Sequence, residues 1–178
     1  MNKKGQYFIL CEDKQTQCFM WYFLVAHHIN SRKIRCLPLP LSGCGEQYVR
    51  ENYPKELKKI RSKNFNNIIL FVCLDADVYT VSDREQELDA ECKRQNILCR
   101  SDTEPVAFFV PKRNIETWIQ WLADKSAINE IDQYTHKRRK EAECKPQAEK
   151  LADMFIQNTD LSFALPSVQS AKKEYDRL

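Results

Sequence analysis

Four carboxylates stand at or soon after the ends of apolar runs in the sequence; they are Glu12, Asp75, Asp77 and Glu116. Carboxylates that gather in one place repel each other, and the repulsion grows when water is removed. Such a group therefore persists most easily around a cation. Ligation by oxygen atoms alone favours Mg²⁺ or Mn²⁺ over zinc. These residue types predict a site for a hard divalent cation, provided that the fold brings them together.

The apolar runs themselves alternate with helical patterns through the first 124 residues. Strands are predicted at residues 6–11, 33–41, 67–74 and 105–110. Helices are predicted at residues 16–29, 46–61, 82–95 and 115–123. This alternation predicts an α/β fold with a mostly parallel sheet and helices on both faces.

The positions of the carboxylates relative to these strands favour a shared site. Ligands of open α/β sheets bind outside the C-terminal ends of the strands, near the point where the strand order reverses. Ordinary structural roles also explain each residue. An Asp can end a strand and open a turn, Glu116 can complement the positive end of a helix, and Glu12 can lie in a solvated loop. The joint placement of all four favours the metal site.

The strand pattern stops after residue 124, and the remaining chain is charged and helical in character. We expect residues 1–124 to form the α/β domain and residues 125–178 to form a helical extension that packs on it. The extension carries a basic cluster that includes Lys137, Arg138 and Arg139. Such a cluster is either a solvated helix face or a contact surface for a nucleic-acid backbone.

Composition excludes several other classes of protein. The longest apolar run, residues 18–26, is far shorter than the ~20 residues of a membrane-spanning helix, so we expect no membrane span. The only three glycines rule out both the G-x-G-x-x-G motif and the P-loop. The eight cysteines contain no C-x-x-C pair, which favours reduced thiols in the cytoplasm. A net charge of +3 is too small to identify a partner by itself.

The order of these motifs resembles the TOPRIM domain, the nucleotidyl-transfer and hydrolysis module of topoisomerases, primases and OLD-type nucleases. Glu12 follows the first strand, and Asp75-Ala-Asp77 follows the third. Residues 10–17 (L-C-E-D-K-Q-T-Q) resemble the V-E-G-x-[ST]-[DE] motif of the small nuclease branch, with Asp13 in place of the glycine and Gln17 near the usual second acid. Residues 111–118 (P-K-R-N-I-E-T-W) resemble a late motif of small TOPRIM-like proteins, some tied to phage defence.

The resemblance implies roles for individual residues. Glu12, Asp75 and Asp77 would hold Mg²⁺ or Mn²⁺, and Glu116 would be a further ligand or a base. Lys112 or Arg113 would stabilise charge that develops on a phosphate, unless both are solvated loop residues. Arg84 would contact phosphate or pair with Asp83, and a surface position is favoured for it.

The function implied in this way is Mg²⁺-dependent cleavage of phosphodiester bonds in DNA or RNA. Nucleic acid is the expected partner, and the resemblance also suggests a homodimer and a partner protein of a defence system. Two alternatives stay open. One is a phosphoryl-transfer enzyme that acts on a small nucleotide. The other is a non-catalytic TOPRIM-like module that binds nucleic acid or protein.

Overall fold

Four parallel strands alternate with helices in the computed structural model, which describes residues 5–62, 67–123, 128–134 and 140–178. The strands are β1 (Gln6–Cys11), β2 (Ile34–Cys36), β3 (Ile68–Cys73) and β4 (Val106–Phe109). The α-helices of these ranges are α1 (Lys14–Ala26), α2 (Gly45–Ser62), α3 (Val81–Arg94), α4 (Ile115–Ala123), α5 (Lys145–Ile156) and α6 (Pro166–Asp176). The prediction of an α/β fold with a parallel sheet is confirmed.

The strand order of the sheet is β2-β1-β3-β4. The chain leaves β1 for β2 on one side and then returns to β3 on the other side of β1. The order therefore reverses between β1 and β3, which are paired in register from Gln6 with Ile68 to Cys11 with Cys73. The gap beyond the C-terminal ends of these two strands is the position where open α/β sheets bind ligands.

Helices cover both faces of the sheet, as predicted, and β3 and β4 are buried along their whole length. One core cluster joins β-strand residues such as Phe71 and Phe109 to α1, α4, α5 and α6. The opposite cluster joins Leu70 and Val72 to α2 and α3. A fully buried aliphatic or aromatic side chain contributes about 1.5–3 kcal/mol, so these two clusters are the main source of stability.

Side-chain caps set where the helices begin. Asp13 accepts a hydrogen bond from the Thr16 backbone N–H at 2.7 Å at the start of α1. Asn114 accepts one from the Thr117 N–H at 3.1 Å at the start of α4. Ser82 and Glu85 have the spacing of a capping box in the sequence, but in the structure Thr80 and Asp83 form the box instead. Thr80 has extended backbone angles that suit an N-cap, so α3 begins at residue 81.

The second strand is much shorter than predicted. The prediction covered residues 33–41, whereas β2 ends at Cys36. Leu37 still donates to the Ile9 carbonyl at 2.9 Å, but Pro38 and Pro40 have no N–H to continue the ladder. The chain therefore leaves the sheet early and forms a long loop at the same edge as the other strand ends.

The C-terminal helices pack on the α/β layers and complete one of their cores. Phe155 of α5 and Val168 of α6 belong to the cluster that contains α1. The helix expected through residues 132–158 is only partly present, since residues 132–134 are not helical and regular helix begins with a 3-10 turn at Glu141. The proposed boundary near residue 124 and the basic residues Lys137, Arg138 and Arg139 lie outside the described residues.

Side chains of α6 and of the α3–β4 loop occupy the outer edge of β4. Glu174 accepts a hydrogen bond from the Phe108 N–H. Arg100 and Arg177 donate to the Val106 carbonyl at 2.8 and 2.7 Å, and both also bind Glu174. The polar groups of an edge strand are thus satisfied without another strand.

None of the helices within the described ranges has both the length and the apolar character that crossing a bilayer requires. All eight cysteines are free thiols in the structure, in agreement with the sequence interpretation.

Candidate metal centre

Glu12 and Asp75 meet at the reversal point of the sheet. Glu12 directly follows β1, and Asp75 lies two residues beyond the end of β3. The backbone N–H of Asp75 donates to Glu12 Oε1 at 2.7 Å. The structure thus brings together two of the four carboxylates from strand ends 63 residues apart in sequence.

This pair is crowded with negative charge. Burial is the main cause that raises the pKa of Glu12 to about 7, and the nearby Asp13 and Asp77 add to it. The pKa of Asp75 is raised well above its usual value by burial and then by Glu12, Asp13 and Asp77. Oδ1 of Asp75 is buried and has no hydrogen-bond partner. The site therefore favours either a bound proton or a bound cation.

Gly45, the first residue of α2, holds the Glu12 loop in place by close packing. A Cβ atom at this position would lie 2.7 Å from the Cβ of Glu12 and 2.7 Å from its carbonyl oxygen. No other residue type fits without moving the loop. The sequence around Gly45 indicates only a turn. The structure adds the steric reason for a glycine at this position, namely its contact with Glu12.

The side chain of Asp77 lies near the pair but forms an ion pair with Arg84. Its backbone has a left-handed φ of 51° and forms an isolated bridge with Arg113, in which the Asp77 N–H donates to the Arg113 carbonyl at 3.0 Å. The carboxylate is 59% exposed and accepts a hydrogen bond from Arg84 Nη2 at 3.1 Å. The backbone bends after β3, and the Asp77 carboxylate accepts from an arginine there.

Arg84 is a buried residue, and the prediction of a surface position is wrong. Its side chain is 5% exposed, and the guanidinium lies within 3.1 Å of the carboxylates of Asp77, Glu87 and Glu46. It closes the space between α2, α3 and the loop after β3. Asp83, the partner considered from sequence, is occupied by the capping box. With three carboxylates around it, this guanidinium has little capacity left for phosphate.

Lys112 and Arg113 lie in the loop after β4, beside the loop after β3. The Lys112 ammonium donates to the Tyr79 carbonyl, and Arg113 Nε donates to the Ile131 carbonyl at 2.9 Å. Both side chains are partly exposed. They are positive charges on the same edge of the sheet as the carboxylate pair.

Glu116 is buried in the first turn of α4. In the part of the chain that the structure describes, no group of three or more His, Cys, Asp or Glu side chains is arranged to hold a metal ion. Neither Glu116 nor Asp77 therefore completes a ligand set with Glu12 and Asp75 in this conformation.

Two residues at this edge were not recognised from sequence as part of the site. Asp13 raises the pKa of both members of the pair, although in the sequence it was noted only as the residue in place of a motif glycine. Tyr79 lies just beyond Asp77 with its ring over the Arg84 guanidinium, 4.7 Å from ring centroid to Cζ. In the sequence, the only indication of a role for Tyr79 was its place between the Asp-x-Asp pair and the cap of the next helix.

Comparison of the chain with protein-family models, with curated proteins and with solved structures gives no match in any of the three.

Proposed function

We propose that this chain is a metal-dependent phosphodiesterase that cleaves nucleic acid at a TOPRIM-type carboxylate site. The observation that carries the proposal is the contact between Glu12 and Asp75 at the reversal point of a parallel sheet. Glu12 and Asp75 would hold Mg²⁺ or Mn²⁺, and Asp77 would join them when its side chain leaves Arg84.

The donor set fits a hard cation. Glu12 and Asp75 offer only carboxylate oxygens, which these ions prefer. The buried Oδ1 of Asp75 has no hydrogen-bond partner, so it is available as a ligand atom. A divalent charge would also offset the repulsion between the carboxylates, which adds to the effect of burial on both pKa values.

The bound ion would polarise a phosphoryl oxygen and orient the attacking group. The residues of the chain would supply the rest. Lys112 and Arg113 on the neighbouring loop would bind the phosphate and stabilise the charge that develops on it. Burial of the pair keeps water away from the ligand oxygens, which strengthens their interaction with a cation. Glu116 stays a candidate base by resemblance alone.

The ion pair between Asp77 and Arg84 supports a second candidate, a non-catalytic binding module. A carboxylate that stays bound to Arg84 cannot serve as a metal ligand, and two carboxylates alone make a weak site. In that case the fold and its exposed cations would bind nucleic acid without cleaving it.

The test combines metal binding with cleavage. Isothermal titration calorimetry with Mn²⁺ and assays on single-stranded DNA, duplex DNA, RNA and small nucleotides are carried out with the wild type, Asp75→Asn and Asp153→Asn. Asp153 is an exposed carboxylate of α5 and makes a matched control. We expect the wild type and Asp153→Asn to bind Mn²⁺ and cleave polynucleotide, and Asp75→Asn to lose both activities while its melting temperature is kept or raised.

Each other outcome selects an alternative. Turnover of nucleotides with intact polymers would indicate the small-nucleotide enzyme. An absence of both Mn²⁺ binding and cleavage in the wild type would reject the enzyme and leave the binding module.

A further inference from the structure

Tyr79 presents an aromatic ring at the edge of the sheet that carries the carboxylate pair. The residue is 48% exposed although it is large and largely apolar, and Val78 beside it is 72% exposed. The ring lies over the Arg84 guanidinium at 4.7 Å, so one face is supported and the rest remains accessible. Exposed aromatic rings in this setting are typical of stacking surfaces.

Two hydrogen bonds hold the backbone of Tyr79, and Arg84 supports its ring. The Tyr79 N–H donates to the Ala76 carbonyl at 2.9 Å, which closes the turn after β3. The Tyr79 carbonyl accepts the ammonium of Lys112. Arg84, which supports the ring, is itself fixed by its carboxylate partners. A ring that is already ordered loses little conformational entropy when a ligand stacks on it.

The charged residues around the Tyr79 ring determine where the phosphates of a ligand would lie. Lys112 and Arg113 lie on the side of the β4 loop. Tyr79 also borders an open groove of about 590 Å³ along α3, whose lining includes Asp83, Glu87, Asp89 and one lysine, Lys93. A phosphate backbone is attracted to the two cations of the β4 loop, whereas the excess of carboxylates in the groove repels it.

We propose that Tyr79 is a stacking platform for an unpaired nucleobase, with the phosphates of that strand directed toward Lys112 and Arg113. This inference rests on the proposed function for its ligand class and adds that the polynucleotide is single-stranded beside the carboxylate pair. A base inside a duplex has no free face for the ring, so the strand must be unpaired at this point.

The test separates stacking from binding of the phosphates. Fluorescence anisotropy with Ca²⁺ in place of Mg²⁺ measures the affinity for a labelled 12-nucleotide DNA strand, for the same strand with abasic sites, and for its duplex. The proteins are the wild type, Tyr79→Leu, Tyr79→Trp and Phe163→Leu. Phe163 is an aromatic residue that is 95% exposed between α5 and α6, so it is a matched control.

We expect the wild type to bind the intact strand about 5- to 100-fold more tightly than the abasic strand, which is the range for loss of one stacked base. Tyr79→Leu should lose this difference and keep the affinity for the abasic strand, whereas Tyr79→Trp and Phe163→Leu should keep both. Thermal melts verify that the variants are folded.

The inference is overturned if Tyr79→Leu retains the difference between the strands, or if the wild type prefers the duplex or binds no polynucleotide. Failure of the proposed function gives another pattern, namely base-dependent binding through Tyr79 without Mn²⁺ binding or cleavage. Cleavage that requires Asp75 but ignores Tyr79 would leave the enzyme and reject only the platform.

Discussion

Glu174 of α6 accepts a hydrogen bond from the backbone N–H of Phe108 at 2.9 Å, so a side chain takes the place of a neighbouring strand at the edge of β4. The same carboxylate binds Arg100 and Arg177. These contacts lower the pKa of Glu174 in spite of the burial that opposes them. The last helix is therefore attached to the sheet through polar groups as well as through its apolar face.

Replacement of this carboxylate should destabilise the fold. We expect Glu174→Ala to lower the free energy of unfolding by about 1–3 kcal/mol, because the Phe108 N–H and two guanidinium groups lose their acceptor. Urea denaturation measures the change. The control is Glu149→Ala, which removes an exposed carboxylate that faces Lys145 at 3.7 Å and should cost at most about 0.5 kcal/mol. Equal effects of the two variants would contradict this role of Glu174.

Substitution of Gly45 should affect the candidate metal centre directly. A Cβ at this position would push against Glu12, so Gly45→Ala should lower stability by about 1–3 kcal/mol and weaken Mn²⁺ binding. Gly43→Ala is the comparison. Gly43 has a φ of 91° with open space around it, so that variant should lose stability through backbone strain and still bind Mn²⁺ normally. Calorimetry and urea melts distinguish the two results.

The carboxylate pair predicts an unusual pH dependence of stability in EDTA. The folded pKa of Glu12 is about 7 and that of Asp75 is also raised, so the folded protein binds more protons than the unfolded chain above the ordinary carboxyl range. The stability that these groups contribute is complete below their unfolded pKa values and is lost as pH rises through their folded pKa values, which for Glu12 is about 7. Glu12→Gln should reduce this loss, because the Glu12 contribution disappears and the pKa of Asp75 loses the effect of the Glu12 charge.

Melting curves from pH 5 to 8 test the prediction on the wild type and on Glu12→Gln. Addition of Mn²⁺ at pH 8 should restore the stability of the wild type only. If the two proteins show the same pH profile in EDTA, the pair does not titrate as the structure indicates.

The contribution of His27 to the pH dependence of stability should have the opposite sign. Burial lowers its pKa; the ring Nδ1 lies 2.7 Å from the Phe23 carbonyl and Nε2 lies 3.1 Å from the Tyr175 hydroxyl. The neutral ring can donate to the carbonyl and accept from the hydroxyl. Since the folded pKa lies below the unfolded value near 6.5, the stability from His27 is complete above pH 6.5 and is lost as pH falls through the folded pKa.

The measurement is an NMR titration of the histidine side chains, combined with melts of His27→Gln and His28→Gln. His28 is exposed next to His27 and controls for a general effect of histidine loss. His27→Gln should flatten the fall in stability between pH 6.5 and 5, and His28→Gln should not. A His27 pKa at or above 6.5 would refute the prediction.

The strands were the most predictable part of the fold. The run of residues 68–74 is apolar throughout, and a strand buried on both faces needs that composition. The convergence of Glu12 and Asp75 also followed from sequence, because both residues come directly after such runs. The early end of β2 was harder to predict from sequence, since only Pro38 and Pro40 indicated it.

What sequence could not supply were contacts between distant segments. Nothing near Arg84 in the chain indicates that Glu46, from another helix, will help to bury it. The clash that reserves position 45 for glycine depends on a loop 33 residues earlier. The orientation of Asp77 follows from a backbone bridge to Arg113, which forms only when the loops after β3 and β4 lie side by side.

The carboxylates around Arg84 also determine how freely Asp77 can move. Arg50 contacts Glu46 at 2.7 Å and Glu87 at 3.6 Å, so two guanidinium groups share three carboxylates when Asp77 is included. Departure of Asp77 leaves two positive and two negative charges, which is a neutral group. The net charge of the remaining group is therefore zero when the exposed Asp77 side chain moves to another cation. Arg84 then keeps Glu46 and Glu87 as partners and needs no replacement.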